Sequence, residues 1–265
     1  MNVFDVPSDP AFWQAPYPFY AEALRSGDGL FAFSSGGYSV LSYDALYEIG
    51  RDPRAQGHPF PEGGLGPELD NLYRLLRWGL FALGSPHHRP LRMAAISGLS
   101  TLKPELVRAI SRDVADQLAQ RIFARGGGDL LADITLPLAA RVSCRLSGIP
   151  KSEAPHVVSH IEVITHQLNG VPVAPADADH AARELYALLE RSASGGQSAL
   201  VDAVAAKLPP GSPATAVDIV ASFMFDAVEM VSAGLFSALD CLGDQPGLTE
   251  RVRSGEWDLG AAVQE

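Results

Sequence analysis

Between Asp129 and Pro150 the chain reads DLLADITLPLAARVSCRLSGIP. The span from Leu130 to Gly148 predicts a helix, and Gly148-Ile149-Pro150 gives it a stop, since proline cannot continue a helix and glycine accepts the backbone turn that ends one. Upstream, Pro104 to Arg125 places Leu106, Ala109, Ile110, Val114, Leu118 and Ile122 at intervals of three and four, the mark of one apolar helix face, and closes on Gly126-Gly127-Gly128. Downstream, the same spacing predicts helices over Ser152–Leu168, Ala176–Ser192, Ser198–Lys207, Ala214–Leu242 and Leu248–Arg253. From about Leu69 onward almost everything reads as helix.

The first part of the chain is mixed. Pro16 to Gly27 predicts a short helix that starts on proline and ends on glycine. Two short β-like runs, GLFAF and GGYSVLS, flank the Ser34-Ser35-Gly36-Gly37 turn and predict a hairpin, and Tyr43 to Ile49 returns to helical spacing. Asp52 to Pro67 is rich in proline and glycine and reads as a long loop. No repeat or linker divides the chain, so the expected fold is a single, mainly α domain with a small β hairpin near its N-terminus.

Composition narrows the function. A formal net charge of −11 argues against a nucleic-acid partner, which needs clustered Lys and Arg. No run of about 18 apolar residues is free of charge, which argues against a membrane span. The opening MNVFDVPSDPAFW lacks the basic and apolar regions of a signal peptide, so a cytoplasmic location is expected. Cys144 and Cys241 sit in apolar helical patterns and are expected to be buried free thiols.

Two constellations carry chemistry. In SPHHRPLR, Ser85 to Arg92, a helix beginning near His87 would put His88 and Arg92 on one face. Cations crowd a helix N-terminus favourably only when an anion is near, so His88, Arg89 and Arg92 mark either a carboxylate or phosphate site or a solvated basic face. Along VDIVASFMFDAVEMVSAGLFSAL, Val217 to Leu239, Asp226 and Glu229 stand mid-helix and share a face with Met230 and Ala233. Carboxylates there mean either a polar, water-lined cavity or a face that reaches solvent. No metal-ligand spacing is present. The pairs His156/His160 and Glu162/His166 lack a third ligand at recognisable spacing and read as surface or boundary residues.

In order along the chain, several segments resemble the bacterial cytochrome P450 family. FDVPSDPAFWQAPYPFYAEALRSG is similar to its opening, and GGYSVLSYDALYEIGRDPR to its short β pair and following helix. SPHHRPLR resembles its propionate-binding segment, DLLADITLPLAARVSCRLSGIP its proline-containing helix, and GDQPGLTERVRSGEWDLGAAVQE the approach to its E-x-x-R helix. The resemblance implies heme b as cofactor, a cysteine thiolate on iron, and insertion of one oxygen atom of dioxygen into an organic substrate.

Carried over residue by residue, the resemblance makes His88 and Arg92 the propionate ligands and Val217–Leu242 the long helix over the heme. The segment before His88 matches the family's substrate-recognition region. The family's A-G-x-(D/E)-T segment falls on Asp226, Ala227, Val228, Glu229 and Met230. Glu229 keeps the acid and Ala227 replaces the glycine. Met230 replaces the proton-relaying threonine, and a thioether donates no proton. The Glu of E-x-x-R would fall at Glu265, so the resemblance also implies that this chain is an N-terminal portion lacking the proximal cysteine, with no stable heme-thiolate centre of its own.

The expected parent is a monooxygenase of a small or carrier-bound substrate, supplied with electrons by a ferredoxin-type donor. The alternative implied by the family is a heme-less helper that activates a glycosyltransferase, which the methionine at 230 mildly favours. An unrelated all-α ligand binder is the third reading.

Overall fold

A computed structural model describes residues 12, 14–26, 29–32, 38–52, 54–55, 64–80, 83–84, 86–169, 171–245 and 247–256. The chain divides into two compact units, Met1–Gly57 and His58–Glu265.

In the first unit, α1 (Tyr17–Ser26) is followed by β1 (Leu30–Ala32) and β2 (Tyr38–Val40), which pair antiparallel with Leu30 opposite Val40. Helix α2 (Tyr43–Arg51) starts at Ser42, whose hydroxyl accepts the Ala45 N–H at 3.3 Å and so satisfies one of the free donors of the first turn. The Ser34–Gly37 turn and most of the Asp52–Pro67 loop lie outside the described residues. Phe12 is buried and packs edge-on against Phe19 and Tyr20.

Every regular element among the described residues of the second unit is helical. Its helices are α3 (Asp70–Arg77), α4 (His88–Leu99), α5 (Pro104–Arg125), α6 (Leu136–Leu146), α7 (Ala154–Leu168), α8 (Pro175–Ser194), α9 (Ala199–Ala205), α10 (Ala216–Asp244) and α11 (Leu248–Arg253). One continuous core joins Leu72, Leu91, Ile161, Leu185, Leu189 and Ile219, all essentially excluded from solvent. At about 25 cal/mol per Å² of apolar surface, each such side chain contributes roughly 1.5–3 kcal/mol.

The helix expected over Leu130–Gly148 is built in two pieces. Leu131–Thr135 is a wide π turn in which the Leu136 N–H donates to the Leu131 carbonyl, five residues back. Pro137 follows in the first turn of α6, where its missing N–H leaves no helical bond broken. The stop at Gly148 is observed, with φ 72. Helix α4 begins at His88, as expected within a residue, and Pro90 stays inside its first turn. Its cap is His87, whose side chain makes no capping bond; Ser85 is outside the described residues.

Helix α10 is long and apolar enough, by length and composition, to cross a membrane. It nevertheless buries Ile219, Val220, Ala221, Met224, Phe225 and Val228 in the protein core. A capping box fixes its start: Asp218 accepts from the Thr215 N–H and hydroxyl, both at 2.7 Å, while Thr215 Oγ1 accepts the Asp218 N–H. Arg74 of α3 then donates to the buried Asp218 at 2.6 Å, so the charge is paired rather than stranded.

Candidate functional site

On α4, Leu91, Ala94, Ala95 and Gly98 face the core. At the edge of that face stand His88, half-buried, and one turn further on Arg92, exposed. On the following turns beyond Arg92 stand Ile96 and Leu99, both exposed, while Met93, 55% exposed, lies further round the helix. Among the described residues neither His88 nor Arg92 forms an ion pair. The face thus joins two unpaired cationic or hydrogen-bonding heads to an apolar strip.

The mid-section of α10 separates residues that the spacing had grouped. Asp226 and Ala227 are half-buried, and burial pushes the Asp226 carboxyl up from its ordinary 3.8 to about 6. Glu229 and Ala233 line a pocket of about 230 Å³ together with Leu131, Glu162, Thr165 and His166. Met230, 72% exposed, points away from that pocket, beside the exposed Val231. The wall of the pocket is pinned where Thr135 of the π turn meets Ser232 of α10, hydroxyl to hydroxyl at 3.1 Å and fully buried.

Glu162 and His166, one turn apart on α7, are exposed, as expected of surface residues, and with Glu229 they line the same pocket. Their third partner comes from α10, 63 positions further along the chain, and no local spacing could announce it. Thr165 Oγ1 is buried in the same pocket without a hydrogen-bond partner. The other histidine pair stays apart from it: His156 bonds Glu153, and His160 meets the edge of the His180 ring. Among the described residues no cluster of His, Cys, Asp and Glu could hold a metal ion.

The cysteines differ. Cys144 is fully buried in the core, and desolvation pushes its thiol up to about 12. Cys241 is exposed near the end of α10, against the expectation of burial, because the last turns of that helix leave the core.

No family model matches the chain. It is 27% identical over 183 residues, 66% of its length, to a Xylella fastidiosa protein whose name assigns it to cytochrome P450 133B2. It is 32% identical over 157 residues to the 20-oxo-5-O-mycaminosyltylactone 23-monooxygenase of Streptomyces fradiae, 59% of this chain and 36% of that one. The match covers 44% of the Xylella protein, so the chain spans under half the length of the curated relatives it matches. Among solved structures, CalO2 superposes with a TM-score of 0.77 at 23% identity, over 100% of this chain and 68% of the other. P450BioI, solved in complex with an acyl carrier protein ligated to hexadec-9Z-enoic acid, superposes with a TM-score of 0.75 at 17% identity, over 96% and 68%. Sequence likeness to bacterial relatives and a shared helical architecture agree: the chain is similar to bacterial cytochrome P450 proteins and has the architecture of part of their fold.

Proposed function

We propose that this chain forms the substrate side of a heme-dependent monooxygenase. The observation that carries this reading is the α4 face, where His88 and Arg92 stand without ion-pair partners beside exposed Ile96 and Leu99. That donor set fits a flat apolar molecule with a carboxylate edge, which is the chemistry of heme b. His88 and Arg92 would donate to the propionates, and charge-assisted bonds of that kind contribute roughly 1.5–3 kcal/mol each. When bound, heme supplies activation of dioxygen at iron. Cys144 is sealed in the core as a thiol and Cys241 stands far along α10, so in this reading neither holds the iron. The thiolate comes from the part of the fold that this chain does not span.

The residues of α10 handle protons. Met230 has none to give. Glu229 takes or releases a proton at its carboxylate oxygens, in a pocket that also holds His166 and Glu162. Asp226, lifted to about 6, changes charge near the working range of a general acid. The substrate is a small or carrier-bound organic molecule, and electrons arrive from a ferredoxin-type donor. The carrier-bound option draws support from the P450BioI complex, where an acyl carrier protein is seated on a related fold.

The test is product formed per reductant consumed by the full-length protein. Met230→Thr restores a hydroxyl donor and raises that ratio. Glu229→Gln lowers turnover, because an amide cannot shuttle a proton. Oxidation that responds to neither substitution contradicts the relay. Absence of any heme uptake moves the reading to the helper of a glycosyltransferase, which the methionine at 230 favours.

A further inference from the structure

Two adjoining pockets lie along the contact of α5 with α6, with volumes of about 650 and 410 Å³, and Arg121 and Arg141 line both. Volumes of this order suit small-molecule ligands. Two other cations of the groove have partners. Arg145 pairs with Asp113, and Arg125 pairs with Asp133 at 2.7 Å. Asp133 also accepts the Asp129 N–H, and Arg121 acts on that carboxylate through charge alone, without a bond to it. Lys151 adds a further positive charge at the mouth of the larger pocket.

Arg121 and Arg141 are left over. Among the described residues neither has a hydrogen-bond or ion-pair partner. Arg141 is half-buried, and its guanidinium is held below its ordinary range by burial first and by the neighbouring Arg121 second. Like charges that oppose each other in a partly desolvated groove raise the energy of the empty protein. An anion between them removes that opposition. The chain as a whole carries −11, so its long-range field repels anions and any affinity has to come from this local arrangement.

We propose that the α5–α6 groove binds a small phosphate-bearing anion, clamped between the guanidinium groups of Arg121 and Arg141. Two guanidiniums without bonded partners match a doubly charged phosphate, whose oxygens can accept paired N–H bonds from each planar fork. A single carboxylate brings one negative charge against two guanidiniums. The site lies on α5 and α6 and depends on none of His88, Arg92 and Glu229.

Isothermal titration of the full chain with inorganic phosphate and with pyrophosphate, against chloride at matched ionic strength, tests this. The expected result is saturable binding of the phosphates, weakened about tenfold or more by Arg121→Gln and by Arg141→Gln. Arg121→Glu supplies Arg141 with an internal partner, so phosphate binding is lost while the melting temperature in chloride rises. Arg108→Gln, which breaks only an exposed pair with Glu105, leaves the titration unchanged. Phosphates that act no differently from chloride overturn the proposal. So does unchanged binding in Arg121→Gln, a substitution at an exposed side chain that the fold does not need.

Discussion

Asp226 shows what one residue's surroundings do to its chemistry. Burial within α10 lifts its carboxyl from 3.8 to about 6, so the folded protein holds its proton more tightly than the unfolded chain. The stabilising effect of that proton is fully present below 3.8 and is lost as pH rises through about 6. The side chain is only partly buried, so solvent screening reduces the effect to about 1–2 kcal/mol. Asp226→Asn is therefore expected to stabilise the chain by about that amount above pH 6 and to flatten the fall in stability between pH 4 and 6, read by urea unfolding across that range. The sequence showed that a carboxylate stood mid-way along an apolar helix, and a polar or hydrated setting followed from that alone. It could not show that Glu229 turns toward Glu162 and His166 while Met230 turns outward. Those directions depend on which faces of α10 its neighbours cover.

The elements were the most legible level. Helix faces follow from apolar spacing, and the ends of α5 and α6 follow from glycines that take left-handed backbone or prolines that cannot continue a helix. The π turn at Leu131–Thr135 was not legible, since its sequence reads as ordinary helix and only the bond from Leu136 back to Leu131 reveals it. Gly98 shows the same division. Its place in α4 says nothing special, yet a Cβ there would run into Cγ2 of Val204 and lie 3.3 Å from the Val204 backbone nitrogen, where α4 packs on α9. Alanine in a helix interior ordinarily gains about 0.5–1 kcal/mol over glycine. Overpacking costs about 1–3 kcal/mol, so Gly98→Ala is expected to destabilise by about 1–2 kcal/mol net. Gly50→Ala in α2, with open space around it, should instead stabilise by about 0.5–1 kcal/mol. Melting temperatures that move the same way for both would contradict this account of the α4–α9 contact.

At the scale of the whole molecule, ordered segments along the sequence resembled one family before any contact was known, and the helical architecture agrees with solved members of that family over the full chain. The reason is that segment order and helix boundaries survive at identities where individual contacts do not. The candidate site was legible only as residue types, a His and Arg on one helix turn and paired acids on another, and its electrostatics was not. The chain leaves apolar side chains of α4 and α10 open to solvent, Met93, Ile96, Met230 and Val231 among them, beside cations without partners. A protein of this size does not ordinarily leave such faces uncovered unless something binds them. In the proposed reading the α4 face receives the anionic edge of heme. That reading is tested most directly by heme occupancy of the full-length protein, measured by its Soret absorbance per protein after extensive dialysis against a heme-binding competitor. Replacing His88 and Arg92 together by alanine is expected to lower retained heme by tenfold or more, as loss of at least one charge-assisted bond of about 1.5–3 kcal/mol requires. Occupancy equal to that of the unsubstituted protein would contradict the assignment.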